Sequence, residues 1–511
     1  MRNAFVLVLG VMLSAIVFSP SPDPAAAGWP KECTSVLAGK NTTADGSVMH
    51  GYSCDGADYC YLSYTPGEEH RNESYAVLSF DGRKLGEVPQ AERTYAVWSA
   101  MVGIDHDLPS GGLNEHGVSI AETTIPGRET LFSDRCVMEY QNLMYLTLQR
   151  SRSAGEAIAV MSGLVDEYGF NMADGGECIT VADPEEAWVF EVFGPGAGWT
   201  PESGEPGAVW VARRVGDDEV FVSANRARIG EIRSEDMTSS NVYSLAKELG
   251  LWDGRDEFVW QDVYGEDQGR YSSLREWRVF SLLAPSERLS PDAVRYPFSV
   301  EPDRRIGVKD LMGVYRDAYE GTPFDLTENP AFYVNGTKSP IASPYGRNNT
   351  RDDLWDLLGI ESERTISQSR TGFSFINQLR SNGLSVMWFA NDCPGTSVYV
   401  PVYAEASRMP EKWLRCNDTT VDDSAWWTFN LVNNLAFQSR YQYAIGDIQQ
   451  IQRSVEDGFL AQQKATENTA LRLEGKARND FLERYTYKCA DEALRAYEAL
   501  TRELIYRYYS F

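Results

Sequence analysis

Hydrophobic and polar positions fall into three patterns along the chain. Phe5 to Phe18 is an apolar run broken only by Ala, Gly and Ser. From Cys33 onward, short apolar stretches alternate with turn residues, and CTSVLAGKNTTADGSVMHGYSCDG reads as two strands around Thr43-Ala44-Asp45-Gly46. The same pattern predicts strands over 94–101, 117–122, 187–193, 208–212, 219–224, 371–375, 385–390 and 397–403. Apolar residues at helical spacing predict helices over 138–150, 154–168 and 308–320. From about Asn430 only the helical period remains: Ile445, Ile448, Ile451, Val455 and Phe459 form one stripe, and Ala493, Tyr497, Leu500 and Leu504 another. Strands in bursts with helix pairs between them predict a layered α+β body, followed by a helical region packed on it.

The first run changes the picture of where the chain starts its working life. Arg2, the apolar run and Ala25-Ala26-Ala27 follow the order of a secretory signal peptide cut after Ala27. The run is shorter than the roughly 20 residues a spanning helix needs, so no membrane anchor is expected. Residues 28–32 then form a short spacer, or propeptide, before Cys33. A secreted or extracytoplasmic protein is the expectation, and five N-x-S/T sequons, at Asn41, Asn72, Asn335, Asn348 and Asn417, suit a glycoprotein of the secretory route.

Composition removes several function classes. A net charge of −27 would repel nucleic acid and anionic membranes alike, so neither is an expected partner. Only four histidines occur (His50, His70, His106, His116), with no CxxC or His-x-x-His cluster. A metal site, a cofactor and a Ser-His-Asp triad are therefore not expected. In an oxidising compartment most of the eight cysteines should pair, with Cys54–Cys60 and Cys393–Cys416 as plausible bridges.

Cys33 stands apart by position, six residues beyond the predicted cut and at the opening of the first strand. Cleavage of Glu32–Cys33 would give one residue both a thiol and an α-amine. An α-amine titrates near about 7.7–8.0, so its neutral form can take a thiol proton close to neutral pH. The thiolate would then attack a carbonyl, form a thioester and release an amine, without histidine.

The segment CTSVLAGKNTTADGSVMHGYSCD resembles the opening of the PepD-type dipeptidases, a cysteine branch of the N-terminal nucleophile (Ntn) hydrolases. GGLNEHGVSIAETT, EAWVFEVFGPG, VSANRARIG, DAYEGTPFDLT, QSRTGFSFINQLR and TSVYVPVY resemble further blocks of that family in the same order, up to about residue 440. The resemblance implies a four-layer αββα sandwich over 33–430, with 431–511 as the helical region, and hydrolysis of dipeptides without metal. It implies Cys33 as nucleophile and Asp55 as the acid that orients the new α-amine or binds the substrate amine. It implies Asn225 as an oxyanion donor, Thr124 as a second contributor, and Arg275 as a late active-site arginine, with Arg278 as the alternative. Tyr52 stands where many relatives carry an arginine near the thiol.

Three activities fit these residues. The leading one is a cysteine dipeptidase acting on small peptides. The second is an N-acyl amide hydrolase, acylase-like or bile-salt-hydrolase-like. The third is a catalytically silent secreted binding protein that kept the fold. The preferred dipeptide, self-cleavage at Glu32–Cys33 and assembly as a homo-oligomer are left open.

Overall fold

Turn chemistry sets the first hairpin. Asp45 accepts from the Ser47 amide at 3.3 Å and hydroxyl at 2.6 Å, and Gly46 takes φ +78°. This reverses the chain between β1 (Glu32–Ala38) and β2 (Val48–Asp55). Their antiparallel register sets Cys33 opposite Cys54 and Glu32 opposite Asp55.

The computed structural model describes residues 32–56, 59–79, 81–102, 108–172, 175–345, 359–360, 362–417 and 419–510. The expected signal segment and the spacer up to Lys31 lie outside them, as does Asn348. From Lys31 onward the chain forms one compact unit.

Two sheets make the centre. The first runs, edge to edge, through β14 (Ser299–Val300), β12 (Val220–Ser223), β1, β2, β17 (Thr371–Leu379), β18 (Val386–Asn391) and β19 (Val400–Tyr403). The second runs through β13 (Met237–Thr238), β11 (Val209–Val215), β10 (Ala187–Phe193), β9 (Gly176–Ala182), β8 (Ser119–Ile125), β7 (Leu108–Asn114), β6 (Val97–Val102) and β3 (Cys60–Thr65). Two hairpins, β4–β5 (Ser74–Leu78, Lys84–Pro89) and β15–β16 (Tyr333–Val334, Thr337–Lys338), stand outside. Ser35 and His50 of the first sheet bond Thr180 of the second, at 2.7 and 2.9 Å, which pins the sheets face to face. Helices Tyr140–Arg150 and Ala154–Tyr168 cover the second sheet; Val308–Arg316 and the C-terminal helices cover the first. This is the four-layer αββα sandwich.

Strands covered on both faces carry no polar-out alternation, because no face meets water. Every residue of β2, β8 and β17 is accordingly buried. The helices begin where caps allow: Glu139 accepts from the Gln141 and Asn142 amides, and Ser153 from Glu156. The helical region (Ala425–Ser439, Tyr441–Ala470, Gly475–Leu504) is tied to the body by Arg316 on Glu456 and by Tyr497 Oη on the Thr396 carbonyl at 2.9 Å.

Pattern reading missed β3, β4, β5, β7, β9 and the helix Arg270–Leu283. Strand β7, LPSGGLN, reads as a turn; Gly111 sits at φ +96°, where an added Cβ would meet the Ile120 carbonyl at 2.7 Å. The helix expected over 308–320 stops at Arg316, because Arg278 clamps Asp317 and Tyr319 turns to φ +69°. The expected bridges are corrected too: Cys54–Cys60 and Cys393–Cys416 are not joined, and all eight cysteines carry thiols. Cys54 is the last residue but one of β2 in one sheet, while Cys60 begins β3 of the other.

Candidate active site

Cys33 is the second residue of β1 and is 2% exposed. Four segments distant in sequence close on it: β2 with Tyr52, β8 with Glu122, the turn after β12 with Asn225, and the helix Arg270–Leu283 with Arg275.

The backbone of Cys33 is held at both ends. Its amide N–H donates to Asn225 Oδ1 at 3.1 Å, and its carbonyl accepts from Arg275 Nη1 at 2.8 Å. Asn225 leaves β12 at φ +64°, a left-handed turn that asparagine tolerates. Its amide nitrogen donates to the Thr124 carbonyl at 2.9 Å, and Arg275 Nη2 donates to its oxygen at 2.9 Å. Arg275 is fully buried, and its fork also reaches the Thr34 hydroxyl and the Ala224 and Tyr271 carbonyls. A planar five-donor group suits this role as a lysine would not.

The sulfur lies elsewhere. Tyr52 Oη is 3.2 Å from Cys33 Sγ and 2.8 Å from Glu122 Oε1, and Sγ itself is 3.5 Å from that carboxylate oxygen. Phe373 and Phe375 hold the Tyr52 ring at centroid distances of 5.6 and 5.4 Å. Burial pushes the Cys33 thiol well up; a hydrogen bond with Cys54 and the Glu122 charge push the same way. Tyr52 is pushed up as well, chiefly by burial and by the neighbouring thiols and Glu122. In the chain that still carries Glu32, Cys33 is a protonated thiol.

The other residues singled out by sequence divide clearly. Asp55 pairs with the Arg364 guanidinium and the Thr371 hydroxyl, while the Cys33 amide goes to Asn225. The register nevertheless sets Asp55 opposite Glu32, beside the bond that would be cut. Thr124 meets Asn225 through its carbonyl, and its buried hydroxyl has no hydrogen-bond partner among the described residues. Arg275 rather than Arg278 reaches Cys33; Arg278 clamps Asp317 and bonds the Glu320 carbonyl. Asn225 accepts from the amide nitrogen of Cys33, a role sequence reading did not give it.

Glu122 and Arg364 were missed. Glu122 had a signal: a lone carboxylate inside the strand SIAETTI, in which every residue is buried. Arg364 had none, since it comes from an irregular loop more than 300 residues from Asp55. Among the described residues no group of three or more His, Cys, Asp or Glu is placed to hold a metal ion, and no helix is long and apolar enough to cross a membrane.

The profile of Peptidase family C69 matches residues 32–454. The chain belongs to this peptidase family. It is accordingly a peptide-bond hydrolase. Its curated relatives include a probable dipeptidase of Latilactobacillus sakei, 25% identical over 422 residues, 77% of this chain and 79% of that protein. Dipeptidase A of Lactobacillus helveticus is 23% identical over 494 residues, 90% of this chain and 93% of that protein. Among solved structures, a mutant conjugated bile acid hydrolase from Clostridium perfringens aligns with TM-score 0.35 at 12% identity, over 73% of this chain and 92% of that one. Penicillin V acylase from Agrobacterium tumefaciens aligns with TM-score 0.32 at 14% identity, over 73% and 86%.

Proposed function

We propose that this peptidase is an exported dipeptidase whose nucleophile is Cys33, active once the Glu32–Cys33 bond has been cut. The observation that carries this reading is the hold on the Cys33 amide nitrogen. Asn225 Oδ1 accepts from it at 3.1 Å, and Asn225 is itself fixed by Arg275 and by the Thr124 carbonyl. A buried side-chain amide on one backbone nitrogen, itself held by a buried guanidinium, makes sense if that nitrogen is to become a working group. The names of the dipeptidase relatives support the substrate class.

The chemistry then follows from the residues. The freed α-amine, steadied by Asn225, takes the thiol proton. The sulfur attacks the scissile carbonyl, a C–S bond forms, and the C–N bond breaks as the leaving amine takes the proton. Water, deprotonated by the Cys33 α-amine, adds to the thioester, and the thiol departs. The Thr124 hydroxyl is a donor available to the oxyanion.

Intact mass and N-terminal sequencing of the active protein test this. A chain starting at Cys33, together with loss of alanyl-alanine hydrolysis in Cys33→Ala, is expected. Full activity in Cys33→Ala, or in a chain still carrying Glu32, would overturn it.

A further inference from the structure

Glu122 is 2% exposed, and only half of its carboxylate is used. Oε1 accepts from Tyr52 and lies 3.5 Å from Cys33 Sγ; Oε2 is buried with no hydrogen-bond partner among the described residues. The two arginines near the nucleophile are committed to other acceptors, Arg275 to Cys33, Thr34, Ala224, Tyr271 and Asn225, and Arg364 to Asp55 and Thr365. Among the described residues no ion pair involves Glu122. A buried carboxylate in that condition is costly unless a cation comes to it.

We infer that Glu122 is the specificity-determining residue of this site and receives the free α-ammonium of the substrate on Oε2. The inference rests on the dipeptidase reading above and names what that site recognises. Geometry supports it. In a dipeptide the α-nitrogen is two bonds, about 2.5 Å, from the scissile carbonyl carbon. A carbonyl held against Cys33 Sγ therefore brings its ammonium within reach of a carboxylate 3.5 Å from that sulfur. An N-acyl amide cleaved at its acyl carbonyl carries only hydrogen there and leaves the buried charge unpaired, so the same residue that welcomes a dipeptide rejects an acyl chain.

The arrangement also couples recognition to activation. Glu122 is one of the groups that hold the Cys33 thiol protonated. An arriving ammonium cancels that charge beside the sulfur and makes the thiolate easier to form. Only a substrate with a free amine would switch the nucleophile on.

The experiment compares alanyl-alanine with propionyl-alanine, which lacks only the amine, on the processed wild type and on Glu122→Gln. Wild type should prefer alanyl-alanine by at least about 100-fold in kcat/KM, a reading that needs no variant. In Glu122→Gln the preference should collapse to within a few-fold, with a raised KM and lowered kcat for alanyl-alanine. Equal use of both compounds by wild type, or an intact preference in a folded Glu122→Gln, overturns the inference while leaving the peptidase reading standing. Hydrolysis of neither compound by the processed wild type overturns the dipeptidase reading, and this inference with it.

Discussion

The amide nitrogen of Cys33 donates to the side-chain oxygen of Asn225 at 3.1 Å, across 192 positions of sequence. Asn225 stands at φ +64°, where glycine is at least as comfortable. Asn225→Gly should therefore add no backbone strain, but it strips the Cys33 amide, the Thr124 carbonyl and Arg275 Nη2 of a buried partner and should cost about 1–3 kcal/mol of stability. Its kcat should fall by about 10²–10³, the scale of losing one positioned polar group in an active site. Thermal melting and steady-state kinetics on the same preparation check both halves.

Arg275 is buried among five acceptors, and lysine can serve only part of them. Arg275→Lys should lose about 2–4 kcal/mol of stability, because buried carbonyls are left without donors. Denaturant titration reads the loss. A stability equal to wild type would show that the fork is dispensable.

The Cys33 thiol is pushed well up by burial, by Cys54 and by the Glu122 charge. At pH 8 an unprocessed chain, still carrying Glu32, should react with iodoacetamide at Cys33 at least about 10-fold more slowly than a model thiol titrating near 8.5. In Glu122→Gln the reaction should speed up, since one of the charges holding the proton is gone. Peptide mapping by mass spectrometry resolves Cys33 from the other cysteines.

Tyr52 Oη is the hydroxyl beside the sulfur, at 3.2 Å. Its proton can support a thiolate. Tyr52→Phe should lower kcat by about 10-fold and move the acid limb of the kcat/KM profile little, because the α-amine sets that limb. A shift of the whole limb would assign the titration to Tyr52 and Cys33 instead.

His50 lies between the sheets, bonded to Ser119 at 2.7 Å and Thr180 at 2.9 Å, and burial lowers its pKa to about 3. In the unfolded chain it titrates near 6.5. Between these values the unfolded state binds the extra proton, so stability falls as pH drops from about 6.5 toward 3, by up to about 1.4 kcal/mol per pH unit. Denaturant titrations across that window should show a shallower slope in His50→Gln than in wild type.

Much of the fold was legible because strand and helix patterns are local. The Asp45-Gly46 turn, the strands 187–193 and 371–375, and the helix 154–168 are written in periodicity and caps. β7 was not, because Pro109, Gly111 and Gly112 read as a loop until neighbouring strands are there to accept them. Within the site, Cys33 could be picked from its place after the apolar run and from its missing histidine. Asn225, Asp55 and Arg275 came with the family likeness.

What the sequence by itself determined is the hairpin that carries Cys33, since it depends on neighbours within about twenty residues. Only the tertiary structure decided which groups surround it. Glu122 arrives from 89 positions away and Arg275 from 242, through sheet stacking and helix packing that no local period records. Burial then decides their chemistry, because a carboxylate, a phenol and a thiol shut away from water hold or yield protons according to one another. The Tyr52–Glu122–Cys33 contact exists only once two sheets have closed.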